Sequence, residues 1–274
     1  MSINIQNFIT RIFIAVIGIP IIFTCIYYGN MIFSFMILMI SILCVYEYFN
    51  MIKKYHTHNN ISMIMTIFFV ILLNCNKFIN INILFYIILI MFVLFSVEII
   101  NGIFTLSIVR ITLSFFGIFF IPMTLMYLVY IRNLHFYGMK MTFFIVIVNW
   151  IVDTAAYIIG SLFGTHKLTK NISPGKTLEG SLTGCIFGIL SSILLRTLFS
   201  MQQMLTINIT IILGLTISII GQFSDLAESI IKRDSNIKDS SNLIPGHGGV
   251  FDRFDSYIFV APTIYYILKF YCNL

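Results

Sequence analysis

A chain of 274 residues that is 59% hydrophobic and only 9% charged lies far from the roughly 25% charged composition of soluble domains, which excludes a water-soluble globule. Its net charge of +6 raises nucleic acid as a partner, but the basic residues sit in short loops between apolar runs and match no reader motif, so no nucleic acid is expected. Cys25, Cys44, Cys75, Cys185 and Cys272 lie scattered in apolar segments, without the paired spacing of a zinc site or a disulfide frame.

A membrane-crossing helix takes about 20 mostly apolar residues, and such runs recur along the whole chain. The pattern predicts an all-α, polytopic integral membrane protein of about nine transmembrane helices, over residues 12–28, 31–49, 60–74, 81–98, 109–130, 141–162, 180–198, 207–226 and 256–272. The first follows Arg11 and shows no small-residue cleavage pattern, so it reads as a retained helix. The apolar core of the third, Ile61 to Leu73, is short for a span, so the pattern leaves eight to ten crossings open, eight if this segment is re-entrant. Residues 1–140 form an N-terminal helical region. Residues 141–274 form a C-terminal catalytic region with the two longest polar loops, 163–179 and 227–255.

In that region Gly180, Gly184 and Gly188 repeat at four-residue spacing, the signature of close helix packing. Gly160 and Gly164 fit either packing or a phosphate-facing turn. Lys and Arg accumulate in cytoplasmic loops of inner or plasma membrane proteins. The N-terminus and the even-to-odd loops hold Arg11, Lys53, Lys54, Arg110, Lys167, Lys170, Lys176, Lys232, Arg233, Lys238 and Arg253, against Lys77, Arg132, Lys140, Arg196 and Lys269 opposite. The N-terminus and both long loops are therefore expected in the cytoplasm.

Of the ten acidic residues, Glu47 and Glu98 stand apart, and the other eight lie between Asp153 and Asp255. An Asp inside a span costs roughly 2.5–3.5 kcal/mol on insertion scales and is seldom found there without a partner or a task. Asp225, Glu228, Ser229, Lys232 and Arg233 share one helical face. Carboxylates there can bind a divalent cation while the basic groups bind phosphate oxygens; a set of intrahelical ion pairs is the simpler alternative. Next come Lys238, Asp239 and the run Ile244 to Asp255, in which Gly246, Gly248 and Gly249 surround His247 and leave backbone N–H groups open to an anion. Asp252 and Asp255, three residues apart, can hold Mg²⁺, and Arg253 can fork onto phosphate. Either Asp could instead cap the following helix, and His247 could be an ordinary loop residue. Upstream stand Asp153 and the stretch Ser173-Pro174-Gly175-Lys176-Thr177. A P-loop is rejected because Lys170 stands where it needs glycine and no strand is expected before it. Ser173 and Lys176 remain as phosphate or nucleotide contacts. His56, His58 and His135 are read as having no acidic neighbours, and so as interfacial loop residues.

At these residues the sequence resembles the phosphatidate cytidylyltransferase, or CDP-diacylglycerol synthase, family. The resemblance runs without a gap from Ser229 through Lys232-Arg233, Lys238-Asp239, Pro245 and His247-Gly248-Gly249 to Asp252-Arg253 and Asp255. An earlier block, Asp153-Thr154-x-Ala156-Tyr157 to Glu179-Gly180, resembles the family too. Leu178, Ser224 and Ser241 depart from its usual residues. The resemblance implies a homodimer of helical subunits that joins CTP to phosphatidate in the membrane lipid phase, giving CDP-diacylglycerol and pyrophosphate for phospholipid synthesis. It implies Mg²⁺, with K⁺ as a weaker implication, and Asp225 and Asp252 as metal ligands. In the in-line transfer expected here, the lipid phosphate attacks the α-phosphorus of CTP, with Lys238 and Arg253 among the catalytic groups. Ser173, Lys176, Ser229, Lys232, Arg233, His247, Gly248 and Gly249 would contact substrate, while Asp153, Asp239 and Asp255 would orient the cations. Rival readings are a transporter using Asp153 as an ion-path residue, a structural membrane subunit, and an enzyme that offers CTP to another lipid phosphate or a lipid alcohol.

Overall fold

The computed structural model describes residues 5–79, 83–246 and 248–271, with side chains described for 13–74, 83–246 and 248–271. Its helices are α1 (Ile5–Tyr28), α2 (Asn30–Met51), α3 (Asn59–Ile79), α4 (Ile83–Asn101), α5 (Ser107–Phe115), α6 (Ile121–Arg132), α7 (Gly138–Phe163), α8 (Leu178–Leu198), α9 (Ile207–Asp234) and α10 (Phe251–Tyr271). A π-helical turn, Phe116–Phe120, makes α5 and α6 one rod, so the described residues form nine rods over the predicted positions. Six of them are long and apolar enough to cross a membrane, and the stretches Phe13–Tyr28 and Asn59–Asn74 are shorter apolar helices. Large apolar side chains face outward along the rods, among them Phe92, Ile186 and Phe187, as expected where the solvent is lipid.

Local chemistry sets the helix ends. Thr177 and Thr206 cap α8 and α9, their hydroxyls accepting from Gly180 N–H at 3.2 Å and Ile209 N–H at 3.4 Å, the usual device for orphan N–H groups. Pro122 in the first turn of α6 follows the π turn. There, Gly117 lets the rod touch Tyr48 of α2, since a Cβ would stand 2.8 Å from its ring.

Helices α7, α8, α9 and α10 pack in succession, and α10 also lies on α6 and α2. The glycine spacing serves packing: Gly188 of α8 and Gly214 of α9 meet backbone to backbone, where a Cβ on Gly214 would sit 2.6 Å from the Gly188 carbonyl. Gly160 is also a packing residue, 3.5 Å from Gly180 Cα measured from its own added Cβ.

One departure from an all-helical chain matters for the site. Residues Lys167–Thr169 (β1) and Ser173–Thr177 (β2) form a small antiparallel hairpin, with Lys167 opposite Thr177 and Thr169 opposite Ser173. The expectation that no strand precedes the Gly-Lys-Thr is thereby corrected: those residues lie on β2 itself. Their short polar stretch pairs its own backbone where no helix continues. Glu179 fastens the base of the hairpin, accepting from Thr165 Oγ1 at 2.7 Å and standing 2.7 Å from His166 Nδ1.

Candidate active site

Three elements meet where the polar loops leave the bundle. From α9, Asp225 and Glu228 are one helical turn apart and turn toward α10, which contributes Asp255. The ligand oxygens of these three carboxylates lie within 4.8 Å of one another, and Glu228 and Asp255 are buried. Such a set of hard oxygen donors suits Mg²⁺, and mutual repulsion of buried carboxylates calls for positive charge among them. From β2, Lys176 reaches in, its Nζ 2.5 Å from Asp225 Oδ2 and 3.4 Å from the Gln222 carbonyl. Lys232, one turn beyond Glu228, pairs with both Glu228 and Asp252, at 2.8 Å from Asp252 Oδ1. The Asp255 carboxylate accepts from its neighbour Ser256, whose N–H lies 2.7 Å away. Ser224 donates to the Asp255 carbonyl and so holds the two helices in register at this level.

Asp252 is placed differently. Its carboxylate accepts from Gly249 N–H at 2.8 Å, Ser240 N–H at 3.0 Å and Ser240 Oγ at 3.0 Å, besides Lys232. It fastens the loop before α10 and joins the carboxylate triad through Lys232. The triad consists of Asp225 with Glu228 and Asp255; Glu228 stood out in the sequence only as part of a charged face.

The glycine-rich loop is closed by Ile244 N–H donating to the Gly248 carbonyl at 2.9 Å. Gly248 has φ +81°, and a Cβ on it would stand 2.7 Å from Asp252 Oδ2, so this turn needs glycine twice over. His247 lies outside the described residues. Gly249 is buried against Ser240 and Glu47.

Glu47 is a residue to which sequence reasoning assigned no role. It is fully buried on α2 and accepts four hydrogen bonds: Ser240 Oγ at 2.8 Å, Ser241 Oγ at 2.6 Å, Val250 N–H at 2.9 Å and Phe251 N–H at 2.8 Å. A carboxylate from another helix thus caps α10, where orphan N–H groups and the helix dipole both favour negative charge. Two of the residues that depart from the family pattern are accounted for, since Ser224 and Ser241 each make a tie at the site.

The other predicted residues divide. Ser229 is buried on α9. Arg233 points away from the triad and binds the carbonyls of Ile172 and Ile237, each at 3.0 Å, tying the hairpin turn to the loop after α9. Lys238, Asp239 and Arg253 are exposed, and Ser173 is half-buried on β2. Asp153 is exposed within α7 and accepts from Asn149 Nδ2 at 3.2 Å. Nearby, Lys54 meets the end of α9, with Nζ 3.1 Å from Asp234 Oδ2; hydrogen bonding to Tyr55 and Asp234 pushes its ammonium above the ordinary lysine value.

His58 requires a correction. It stands 3.2 Å from Glu98, which in turn takes Arg110 at 2.9 Å and 2.5 Å. The acidic neighbour is 40 residues away in sequence, on α4, which meets α3 through the edge-on contact of Phe69 and Tyr86.

With this geometry in place, comparison with known proteins is informative. A family model described as "Cytidylyltransferase family" matches residues 9–271. The phosphatidate cytidylyltransferase of Bacillus subtilis strain 168 is 40% identical over 154 residues, 56% of this chain and 56% of that protein. Those of Staphylococcus epidermidis strain RP62A and Staphylococcus haemolyticus are 45% identical over 133 residues and 42% identical over 131, each match covering 48% of this chain and 50% of the relative. The matches thus span about half the length of these curated relatives.

Proposed function

The chain belongs to the cytidylyltransferase family, and on that footing we propose that it transfers the cytidylyl group of CTP to phosphatidate, releasing pyrophosphate and forming CDP-diacylglycerol. The observation that carries this reading is the convergence of Asp225, Glu228 and Asp255 with Lys176 and Lys232 beside them, at the polar rim of an apolar bundle. A water-soluble nucleotide can reach that rim from one side and a lipid phosphate from the other. The relatives described as phosphatidate cytidylyltransferases support the choice of both substrates.

The nucleophile is an oxygen of the lipid phosphate, already anionic, so the protein needs no Ser or Cys nucleophile. Its task is to position two anions in line and neutralise the charge between them. Asp225, Glu228 and Asp255 would hold Mg²⁺, which when bound supplies Lewis-acid charge neutralisation at phosphate oxygens. Lys176, now on Asp225, is placed to exchange that partner for phosphate oxygen. Lys232 is held more firmly, between Glu228 and Asp252, and keeps the loop aligned with α9. The glycine turn brings backbone close to the anions, with Arg253 on the lipid side. The site-bearing rim would face the cytoplasm, where CTP is found, and the protein would work as a homodimer. Asp252 as a metal ligand and K⁺ as a companion ion would require the loop ties of Asp252 to open.

Purified protein given radiolabelled CTP and phosphatidate should form labelled CDP-diacylglycerol with Mg²⁺ and none without it. A polyprenyl phosphate or polyprenol offered in parallel should stay unlabelled; labelling of that acceptor in place of phosphatidate would replace the proposed substrate.

A further inference from the structure

Between α1 and the rest of the bundle lies a cavity of about 300 Å³, lined by Gly18, Ile22, Phe33, Val146 and Phe254 among others, with Arg253 as its cation. Its α1 wall runs from Ile14 to Ile26, about 18 Å at 1.5 Å per residue, which is close to the depth of one leaflet of a ~30 Å hydrocarbon core. The slot exists because α1 is held off. Phe23 stacks on Trp150 of α7, centroids 5.8 Å apart and rings 8° from parallel, and meets Phe143 edge-on at 5.1 Å. Toward the other half of α1 the residues facing α7 and α10 include Ala15 and Gly18, and a Cβ added to Gly18 would meet nothing within 4 Å.

The two ends of the slot differ in chemistry. Phe33 and Leu128 line one end, at the start of α2 and late in α6. At the other stand Ile244 and Arg253, which flank the glycine turn. Arg253 stands in the first turn of α10 between Asp252 and Asp255, so the cation of the slot lies beside the carboxylate site. An apolar tunnel of leaflet depth with a guanidinium at its site-bearing end complements a single hydrocarbon chain under an anionic head. For scale, an apolar cavity of about 150 Å³ takes benzene, so this one has room for on the order of a dozen carbons.

We propose that this slot binds one acyl chain of the phosphomonoester lipid, with α1 as its outer wall and the headgroup delivered past Arg253 to the carboxylate site. The proposal rests on the reading of phosphatidate as substrate and adds where one of its chains lies; the second chain would remain in the bilayer.

The test uses the full chain in phosphatidylcholine nanodiscs and a phosphatidate carrying a diazirine near the end of one acyl chain. Crosslinks should map to α1 and to the Val146–Trp150 stretch of α7, and excess phosphatidate but not extra phosphatidylcholine should displace them. Gly18→Phe plugs the slot and should cut that labelling severalfold, whereas Gly18→Ala should leave it unchanged; matching thermal unfolding of the two variants shows that the plug has not disrupted folding. In the transfer assay Gly18→Phe should raise KM for dioleoyl phosphatidate about tenfold, the loss that about two unburied methylenes produce, with KM for dihexanoyl phosphatidate and CTP unchanged. Labelling spread evenly over outward residues such as Leu182 and Leu190, or unaffected by the plug, overturns the slot even if the wild type makes CDP-diacylglycerol. Specific slot labelling without any cytidylyl transfer would instead uphold the lipid site and overturn the proposed reaction.

Discussion

Glu98 and Arg110, on α4 and α5, close a buried charge cluster on itself, whereas Asp225, Glu228 and Asp255, on α9 and α10, leave theirs open. In the first, all three guanidinium nitrogens donate: to both oxygens of Glu98, to the carbonyls of Thr105 and Ile103 at 2.6 Å each, and to Ser107 Oγ. His58 completes it at 3.2 Å. In the second, three carboxylates crowd within 4.8 Å and share two lysines, one of which is also engaged by Asp252. Both clusters bear the desolvation cost of charge in an apolar bundle. The closed one offsets it internally and serves architecture; the open one presents converging carboxylate oxygens that a cation could complete.

That contrast can be broken by mutation. Asp225→Asn should lower cytidylyl transfer about 10³-fold with unchanged thermal unfolding of the purified protein; near-normal turnover would remove the triad from the chemistry. Arg110→Ala, which leaves Glu98 buried and alone, should cost about 3–5 kcal/mol of stability, read by denaturant or thermal unfolding in detergent, while kcat of the surviving folded protein stays within about twofold. If activity fell with no change in stability, the two clusters would not differ in kind. Glu47→Gln turns an acceptor into a donor facing N–H groups and should cost about 1–3 kcal/mol. Its mark should be faster hydrogen exchange confined to residues 238–250, and uniform exchange across the bundle would show that Glu47 holds no particular loop. The smallest effect is expected for the joint replacement Glu98→Leu with Arg110→Met, because apolar replacement of a closed buried pair is often close to neutral. Its unfolding should return to within ~1 kcal/mol of the wild type, and persistence of the Arg110→Ala deficit would mean that the guanidinium ties to Thr105 and Ile103 dominate.

Much of this architecture follows from local pattern. Apolar runs of span length located the rods, and glycines at four-residue spacing marked α8 as a closely packed one. Concentrating the acidic residues after Asp153 pointed to α9 and to the start of α10. What local pattern could not supply was partnership across the chain. Asp252 and Asp255 are three residues apart, yet a small difference in direction sends one to Ser240 and Gly249 and the other to Asp225 and Glu228. Arg233 follows Lys232 directly and binds loop carbonyls on another side. Glu47 is 193 to 204 residues from its donors, and His58 is 40 from Glu98, distances at which spacing along a helix carries no information. The hairpin was missed because β2 is brief and carries Pro174 and Gly175, residues that ordinarily punctuate strands.

The cap that Glu47 places on α10 also has a bearing on biogenesis. A ribosome extending the chain at about 5–20 residues per second needs roughly 10–40 s to travel from this glutamate to the backbone amides it will accept from, 203 and 204 positions downstream. Until then α2 carries a carboxylate short of its final backbone donors, so the newly inserted N-terminal helices must stay loosely assembled or keep water beside that group. Arrival of α10 brings the Val250 and Phe251 amides to that carboxylate and adds Asp255 to the carboxylate rim in the same step.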